Sequence, residues 1–282
     1  MLAGAFLLVF GGCCSNLLFL EQLLKQNSDI GDVLTFAQFL AITIEGIIYY
    51  SVRNRRLPEV RKWLVPSFLY FAVSILNNKV WKFNVSVQMH SIFRSSNSLV
   101  VMLVGLCAGR RFSGHQMAAV GIITAAVVAA TLRKPSEGST LGFFMLLLAS
   151  LLSAFQSLYV EKMQTSGREM MLMLHLCSLP YFVFFQKQIQ DQWSRITNLK
   201  LLLANCLTQW VCVAGVNQLA PAGALTTSVV LTLRKFVSLV LSGYLFNQFS
   251  YTLFICGIIV SVGAIYYAKA PRVPNQLKMK QS

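Results

Sequence analysis

Long apolar runs, separated only by short polar breaks, constrain this chain more than any other feature. Ten of them follow one another, at about 2–20, 33–50, 63–77, 85–108, 115–132, 141–160, 170–185, 201–219, 222–246 and 251–268. A helix of about 20 mainly apolar residues crosses the hydrocarbon core of a bilayer. Backbone in lipid must satisfy its own hydrogen bonds, which a helix does internally. The runs therefore predict an all-α polytopic membrane protein with ten transmembrane helices. They leave no room for a soluble domain in 282 residues. Charged residues are only 12% of the chain and hydrophobic ones 56%, against about 25% charged in a soluble domain. That excludes disorder, a nucleic-acid-binding tail and an ordinary soluble enzyme. No basic segment precedes the first run, so it reads as a retained span rather than a cleaved signal.

The charges are lopsided: 24 Lys and Arg against 9 Asp and Glu, a net charge of +15. In a soluble protein this balance points to nucleic acid; in a membrane protein it first reports topology. With a cytosolic N-terminus, thirteen cations fall on the cytosolic side: Arg53, Arg55, Arg56, Arg61, Lys62, Arg110, Arg111, Lys162, Arg168, Lys269, Arg272, Lys278 and Lys280. Eight fall opposite: Lys25, Lys79, Lys82, Arg133, Lys134, Lys187, Arg195 and Lys200. The bias places both termini in the cytosol, with no nucleic-acid partner. Tyr49, Tyr50, Trp63, Tyr251, Tyr266 and Tyr267 stand at span ends, as an aromatic belt requires. The seven cysteines lie in or at the ends of runs without metal spacing. They read as small buried apolar residues, and no metal or cofactor is expected.

Three cations remain, inside the fourth and ninth runs: Arg94, Arg234 and Lys235. Each costs about 2.5–3.5 kcal/mol at a helix centre, and the three together rival a domain's net stability of about 5–15 kcal/mol. Snorkelling relieves that cost only near an interface, and long apolar flanks surround Arg234. Asp29, Asp32 and Asp191 read as loop residues, and Glu45 is the one acid deep in a run. Glu45 either belongs to the site or salt-bridges one of the three. The excess positive charge points to a water-filled cavity that receives an anion. Arg forks onto phosphate and Lys acts as a point charge, so a phosphate-bearing solute is the simplest ligand.

The same runs share a pattern. Arg94-x-x-x-Ser98-Leu99-Val100 matches Arg234-x-x-x-Ser238-Leu239-Val240 at an offset of 140, as do Asn77 with Asn217 and Glu21 with Glu161. Phe112-Ser113 matches Phe249-Ser250, and Gly121-Ile122-Ile123 matches Gly257-Ile258-Ile259. These matches divide the chain into repeats at 1–134 and 138–268, with a cytosolic basic tail at 269–282. Five helices per repeat is an odd number, so the second repeat enters the membrane inverted. In such transporters the substrate site lies at the repeat interface near the midplane. Asn77 and Asn217 either approach that cavity or hydrogen-bond helix to helix. Gly121-x-x-x-Ala125 and Gly257-x-x-x-Ser261 put small residues on one face of the fifth and tenth helices, for packing within the chain or in a homodimer.

At these residues the sequence resembles the nucleotide-sugar transporters of the drug/metabolite transporter superfamily, and within them the UDP-xylose/UDP-N-acetylglucosamine transporters. The stretches that carry the likeness are Gly12-Cys13-Cys14-Ser15-Asn16 with Phe19-Leu20-Glu21, Thr35-Phe36-Ala37-Gln38-Phe39-Leu40 with Glu45-Gly46, Asn77-Asn78, His90 with Ile92-Phe93-Arg94-Ser95, and Thr232-Leu233-Arg234-Lys235-Phe236-Val237-Ser238-Leu239. The resemblance implies antiport of a cytosolic UDP-sugar into the lumen of the endoplasmic reticulum or Golgi against UMP, with Lys235 at the phosphate and sugar end of the site. Where the family's seventh helix carries an aromatic pair followed by Asn-Asn or Asn-His, this chain has Leu172-Met173-Leu174-His175. The candidate substrate residues are Arg94, Arg234 and Lys235, with His90, Asn77, Asn217, Gln38, Glu45, His175 and Ser238.

Lys278 and Lys280 resemble a dilysine retrieval signal; the other reading is a basic tail facing anionic lipid. Asn84-Val85-Ser86 is a sequon too close to a span to be used. A membrane enzyme is the competing class. His90, His115 and His175 show no metal spacing, no aspartate reads into a span, and no P-loop or Rossmann glycine pattern occurs. A triose-phosphate-like carrier on the same fold is the alternative transporter.

Overall fold

The computed structural model describes residues 2–85, 90, 94, 97–133, 139–245 and 251–271, and no strand occurs among them. The helices are α1 (Leu2–Gln26), α2 (Gly31–Val52), α3 (Leu64–Lys79), α4 (Asn97–Cys107), α5 (Gly114–Arg133), α6 (Thr140–Met163), α7 (Gly167–Leu176), α8 (Gln186–Ser194), α9 (Leu199–Leu219), α10 (Ala224–Leu245) and α11 (Tyr251–Lys269). Six described segments are long and apolar enough to cross a bilayer: Gly4–Gln26, Gly31–Val52, Thr140–Met163, Gly167–Ser194, Leu199–Ala222 and Ala224–Leu245. Asn97–Cys107, Gly114–Ala129 and Phe254–Lys269 are shorter apolar helical stretches. Side chains as large as Leu7, Val52 and Phe184 stand 77–81% exposed, and a soluble monomer rarely exposes a broad apolar surface. The chain is a multi-pass membrane protein.

Polar residues mark where helices begin and turn. Ser139, Ser166 and Asn198 accept N-capping bonds from the backbone N–H groups of Gly142, Glu169 and Leu201 at 3.2, 3.1 and 3.0 Å, satisfying donors that the first turn leaves open. Asn54, Asn84 and Gln164 have positive φ after α2, after the 3₁₀ turn Val80–Phe83 and after α6. The seventh run is broken: α7 ends at Leu176, Leu179–Phe185 is 3₁₀ with Pro180 in its first turn, and α8 continues. Pro180 has no N–H to continue the α ladder.

The chain forms two compact units, one of residues Met1–Val87 with Glu137–Pro221, the other of Gln88–Ser136 with Ala222–Ser282. In the larger unit α1 packs along α9 and α3 along α6, while α2 meets α3, α7, α8 and α9. Trp63, Val33, Leu34, Ile42, Leu172 and Met173 are fully buried there. In the smaller unit α5 packs on α11, α10 on both α4 and α11, and α4 on α5. Its core includes Val120, Ile123, Phe236 and Val260.

Two expectations are corrected. Asp32 is no loop residue: it sits in the first turn of α2, where an anion complements the helix N-terminus, and is only 3% exposed. Cys13 and Cys212 form a disulfide between α1 and α9, with Cα atoms 4.6 Å apart. The backbones meet there because Gly12 lies on Cys212 and Gly215 on Val9, leaving no space for a Cβ at either glycine. Cys14, Cys177, Cys206 and Cys256 are buried as expected, but Cys107, at the end of α4, is exposed. The Gly121-x-x-x-Ala125 face is exposed too. α5 instead meets α11 through Ala119 and Ile123, which lie against Gly263, so the close approach falls on a neighbouring face.

Candidate functional site

Polar residues of two apolar helices in the smaller unit, α4 and α10, meet at the candidate site. On α10, Ser228, Thr232, Lys235 and Ser238 recur at helical spacing and so share one face. Ser228 and Thr232 are buried, and Ser238 is buried too. The Lys235 ammonium donates to the Arg94 backbone carbonyl at 2.6 Å. Asn97, on α4, donates to Ser228 Oγ at 3.2 Å. Arg94, Arg234 and Lys235 are all half-buried, as is His90, one turn before Arg94. Both Arg94 and Arg234 lie within electrostatic range of Lys235 and of His90. The buried Nη1 of Arg94 has no hydrogen-bond partner among the described residues. Ser98, on α4, is likewise fully buried.

All nine acidic residues of the chain fall within the sequence of the larger unit; the smaller unit contains no Asp or Glu. Neither Arg94 nor Lys235 therefore has a carboxylate in its own unit. An unpaired buried charge is costly, whereas an ammonium already held by a carbonyl keeps two N–H donors for a ligand.

The other candidates lie in the larger unit. Gln38 donates to Asn205 Oδ1 at 2.7 Å, and Asn16 donates to the Asn205 carbonyl at 2.9 Å, which makes a buried amide network joining α1, α2 and α9. His175 is 1% exposed, with Nδ1 2.7 Å from the Met171 carbonyl and Nε2 3.1 Å from the Tyr70 hydroxyl. Its ring packs against Phe39 and Tyr70. Glu45 accepts from Arg168 at 2.8 Å, so its ion pair is with a residue in the first turn of α7 rather than with Arg94, Arg234 or Lys235. Asn217 is buried and Asn77 half-buried. Asn77 Oδ1 and Asn217 Nδ2 have no hydrogen-bond partner among the described residues, so those atoms do not join helix to helix there. Lys278 and Lys280 lie outside the described residues, as does Ser86 of the sequon.

Sequence reasoning passed over Asn97 and Ser228. The four-residue spacing from Ser228 to Thr232, continued by Lys235 and Ser238, is the signal that would have found a polar face.

A model of the UAA transporter family matches residues 1–271. The chain belongs to the UAA transporter family. It is accordingly a transporter and not an enzyme. Among curated proteins, this family member is 36% identical to the UDP-N-acetylglucosamine transporter yea4 of Schizosaccharomyces pombe, over 100% of both chains. It is 29% identical to the human nucleotide sugar transporter SLC35B4, covering 93% of this chain and 92% of that one. It is also 29% identical to the endoplasmic reticulum GDP-fucose transporter of Drosophila melanogaster, over 96% and 90%. A solved crystal structure superposes with a TM-score of 0.69 at 15% identity, covering 95% of this chain and 98% of that one; this is a likeness of fold alone.

Proposed function

We propose that the chain is a nucleotide-sugar antiporter that carries UDP-N-acetylglucosamine, UDP-xylose or both from the cytosol into the lumen of the endoplasmic reticulum or Golgi and returns UMP. One observation carries the reading: the Lys235 ammonium meets the Arg94 carbonyl in a unit whose sequence contains no Asp or Glu. A diphosphate supplies that missing charge. The names of the yeast and human relatives support a nucleotide sugar as its bearer. Arg94 and Lys235 hold the phosphates, with Arg234, His90 and Ser238 beside them. UMP satisfies the same cations on the return, so the empty site is the costly state and exchange is obligate.

Alternating access follows from an inverted repeat of five and five helices. The helix pairings support it, with α7 and α8 taken as one crossing. Exchanging the first five helices for the last five turns α1 with α9 into α6 with α3, and α2 with α9 into α7 with α3. It also turns α4 with α5 into α10 with α11, and each of these pairs is in contact. Gly31, which opens α2, lies on the Asn78 carbonyl, and Gly167, which opens α7, lies on that of Asn217. The same close approach thus recurs once per half. Both termini are cytosolic in this reading, and Lys278 and Lys280 return the protein to the endoplasmic reticulum.

Competition against labelled UDP-N-acetylglucosamine tests the substrate class. UDP-xylose and UMP are expected to compete and triose phosphate to fail; triose phosphate competing as well as UMP contradicts the assignment. Replacing Lys278 and Lys280 with Ser should move the protein towards the Golgi, and unchanged localisation discards the retrieval signal.

A further inference from the structure

A second cationic site stands at the far end of α2, in the larger unit. α2 ends at Val52, and Asn54 takes a left-handed φ of 46°. The turn is closed by bonds from Arg53 N–H to the Tyr49 carbonyl and from Arg55 N–H to the Tyr50 carbonyl, at 3.3 and 2.9 Å. Residues two apart on a helix do not share a face, yet this reversal brings Arg53 and Arg55 over the same Tyr49 ring, at 4.9 and 5.9 Å from its centroid. Arg168 reaches the ring as well, at 4.5 Å. Cation–π attraction and the negative end of the α2 dipole favour one such group. Three guanidiniums on one ring repel each other, and Glu45 answers only Arg168.

Below the cluster, a groove of about 400 Å³ is lined by Ala41, Ile44, Ile48 and Val52 together with Glu45, Tyr49 and Arg53. Ile44, Ile48 and Val52 are 49%, 56% and 81% exposed. The groove is apolar along the span and cationic at its end, which is the polarity of a lipid with an acidic head.

We propose that this groove binds one anionic phospholipid, its phosphate between Arg53, Arg55 and Arg168 and an acyl chain along Ile44, Ile48 and Val52. Phosphate neutralises the clustered guanidiniums, and the chain covers the apolar stripe.

The test is native mass spectrometry of the full chain purified from mixed micelles of phosphatidylserine and phosphatidylcholine. The wild-type protein is expected to retain one phosphatidylserine in preference to phosphatidylcholine, and to lose that preference as salt rises. Arg53→Gln with Arg55→Gln should weaken retention about 30-fold, since two cations near the membrane surface are removed. Arg56→Gln, the adjacent exposed arginine, should leave it unchanged. Equal retention of the two lipids by the wild-type protein overturns the site. So does an equal loss in the Arg56 variant, which means diffuse surface charge. Displacement by soluble glycerophosphoserine at equal concentration overturns it too, because the acyl groove would then contribute nothing.

Discussion

The two units handle charge in opposite ways. In the larger one, acids and cations sit together and pair. Asp32, 3.6 Å from Lys79, accepts a bond from the Gln192 amide at 3.2 Å, and Asp29 pairs with Lys82 at 3.2 Å. Lys62 and Glu169 pair at 2.7 Å. The smaller unit has cations within the membrane and no carboxylate in its sequence. The larger unit also carries the described disulfide, which ties α1 to α9. Paired charge and a cross-link make a scaffold. A unit with intramembrane cations and no carboxylate in its sequence suits the proposed anion site.

Breaking the site should have the largest effect. Lys235→Ala removes the ammonium that links α10 to the Arg94 carbonyl. Nucleotide-sugar exchange in proteoliposomes should fall about 100-fold or more, a transition-state loss of roughly 3 kcal/mol, with expression and melting behaviour retained. Full activity in that variant removes the smaller unit's cations from the mechanism. Scaffold changes should act on stability instead. Cys13→Ser with Cys212→Ser should cost about 2–4 kcal/mol, because the bond closes a loop of 199 residues. The loss is read as a lower melting temperature, with the affinity for UDP-N-acetylglucosamine unchanged.

A smaller loss is expected from Gln192→Ala. The Gln192 side-chain oxygen accepts from the N–H groups of both Asp32 and Val33 at 3.0 Å, and leaving buried donors open costs about 1–3 kcal/mol. Denaturation of the purified variant measures it. The least effect belongs to Glu45→Gln. The Glu45–Arg168 pair is partly exposed, so its loss should change stability by less than about 1 kcal/mol. A large rise in KM for that variant would return Glu45 to the substrate site, and would blur the contrast between the units.

The sequence made some of this legible and hid the rest for physical reasons. Helix positions followed from apolar runs because lipid demands them. The start of α2 was misplaced because a run begins after its last charge, whereas a helix begins at its first turn; Gly31 and Asp32 belong to α2. α8 escaped because Gln186–Ser194 is polar, and counting apolar residues cannot register it. The Cys13–Cys212 pair is separated by 199 residues, and no local spacing rule spans that distance. The Glu45 partner depends on how α2 packs beside α7, which periodicity does not report. Arg94 and Lys235 were legible because a charge inside an apolar run is conspicuous; the repeat offset, however, matches Arg94 with Arg234, whereas the bond is made by Lys235 to the Arg94 carbonyl. Ser228 and Asn97 were not conspicuous, since small polar residues cost little in a span.

The central claim is that the smaller unit's cations need an anion at all times. Proteoliposomes containing the wild-type protein, either preloaded with UMP or empty, are given labelled UDP-N-acetylglucosamine and initial uptake is compared. The account predicts rapid uptake into loaded vesicles and little into empty ones. Equal uptake into both would contradict it, because the vacant cationic site would then reorient freely.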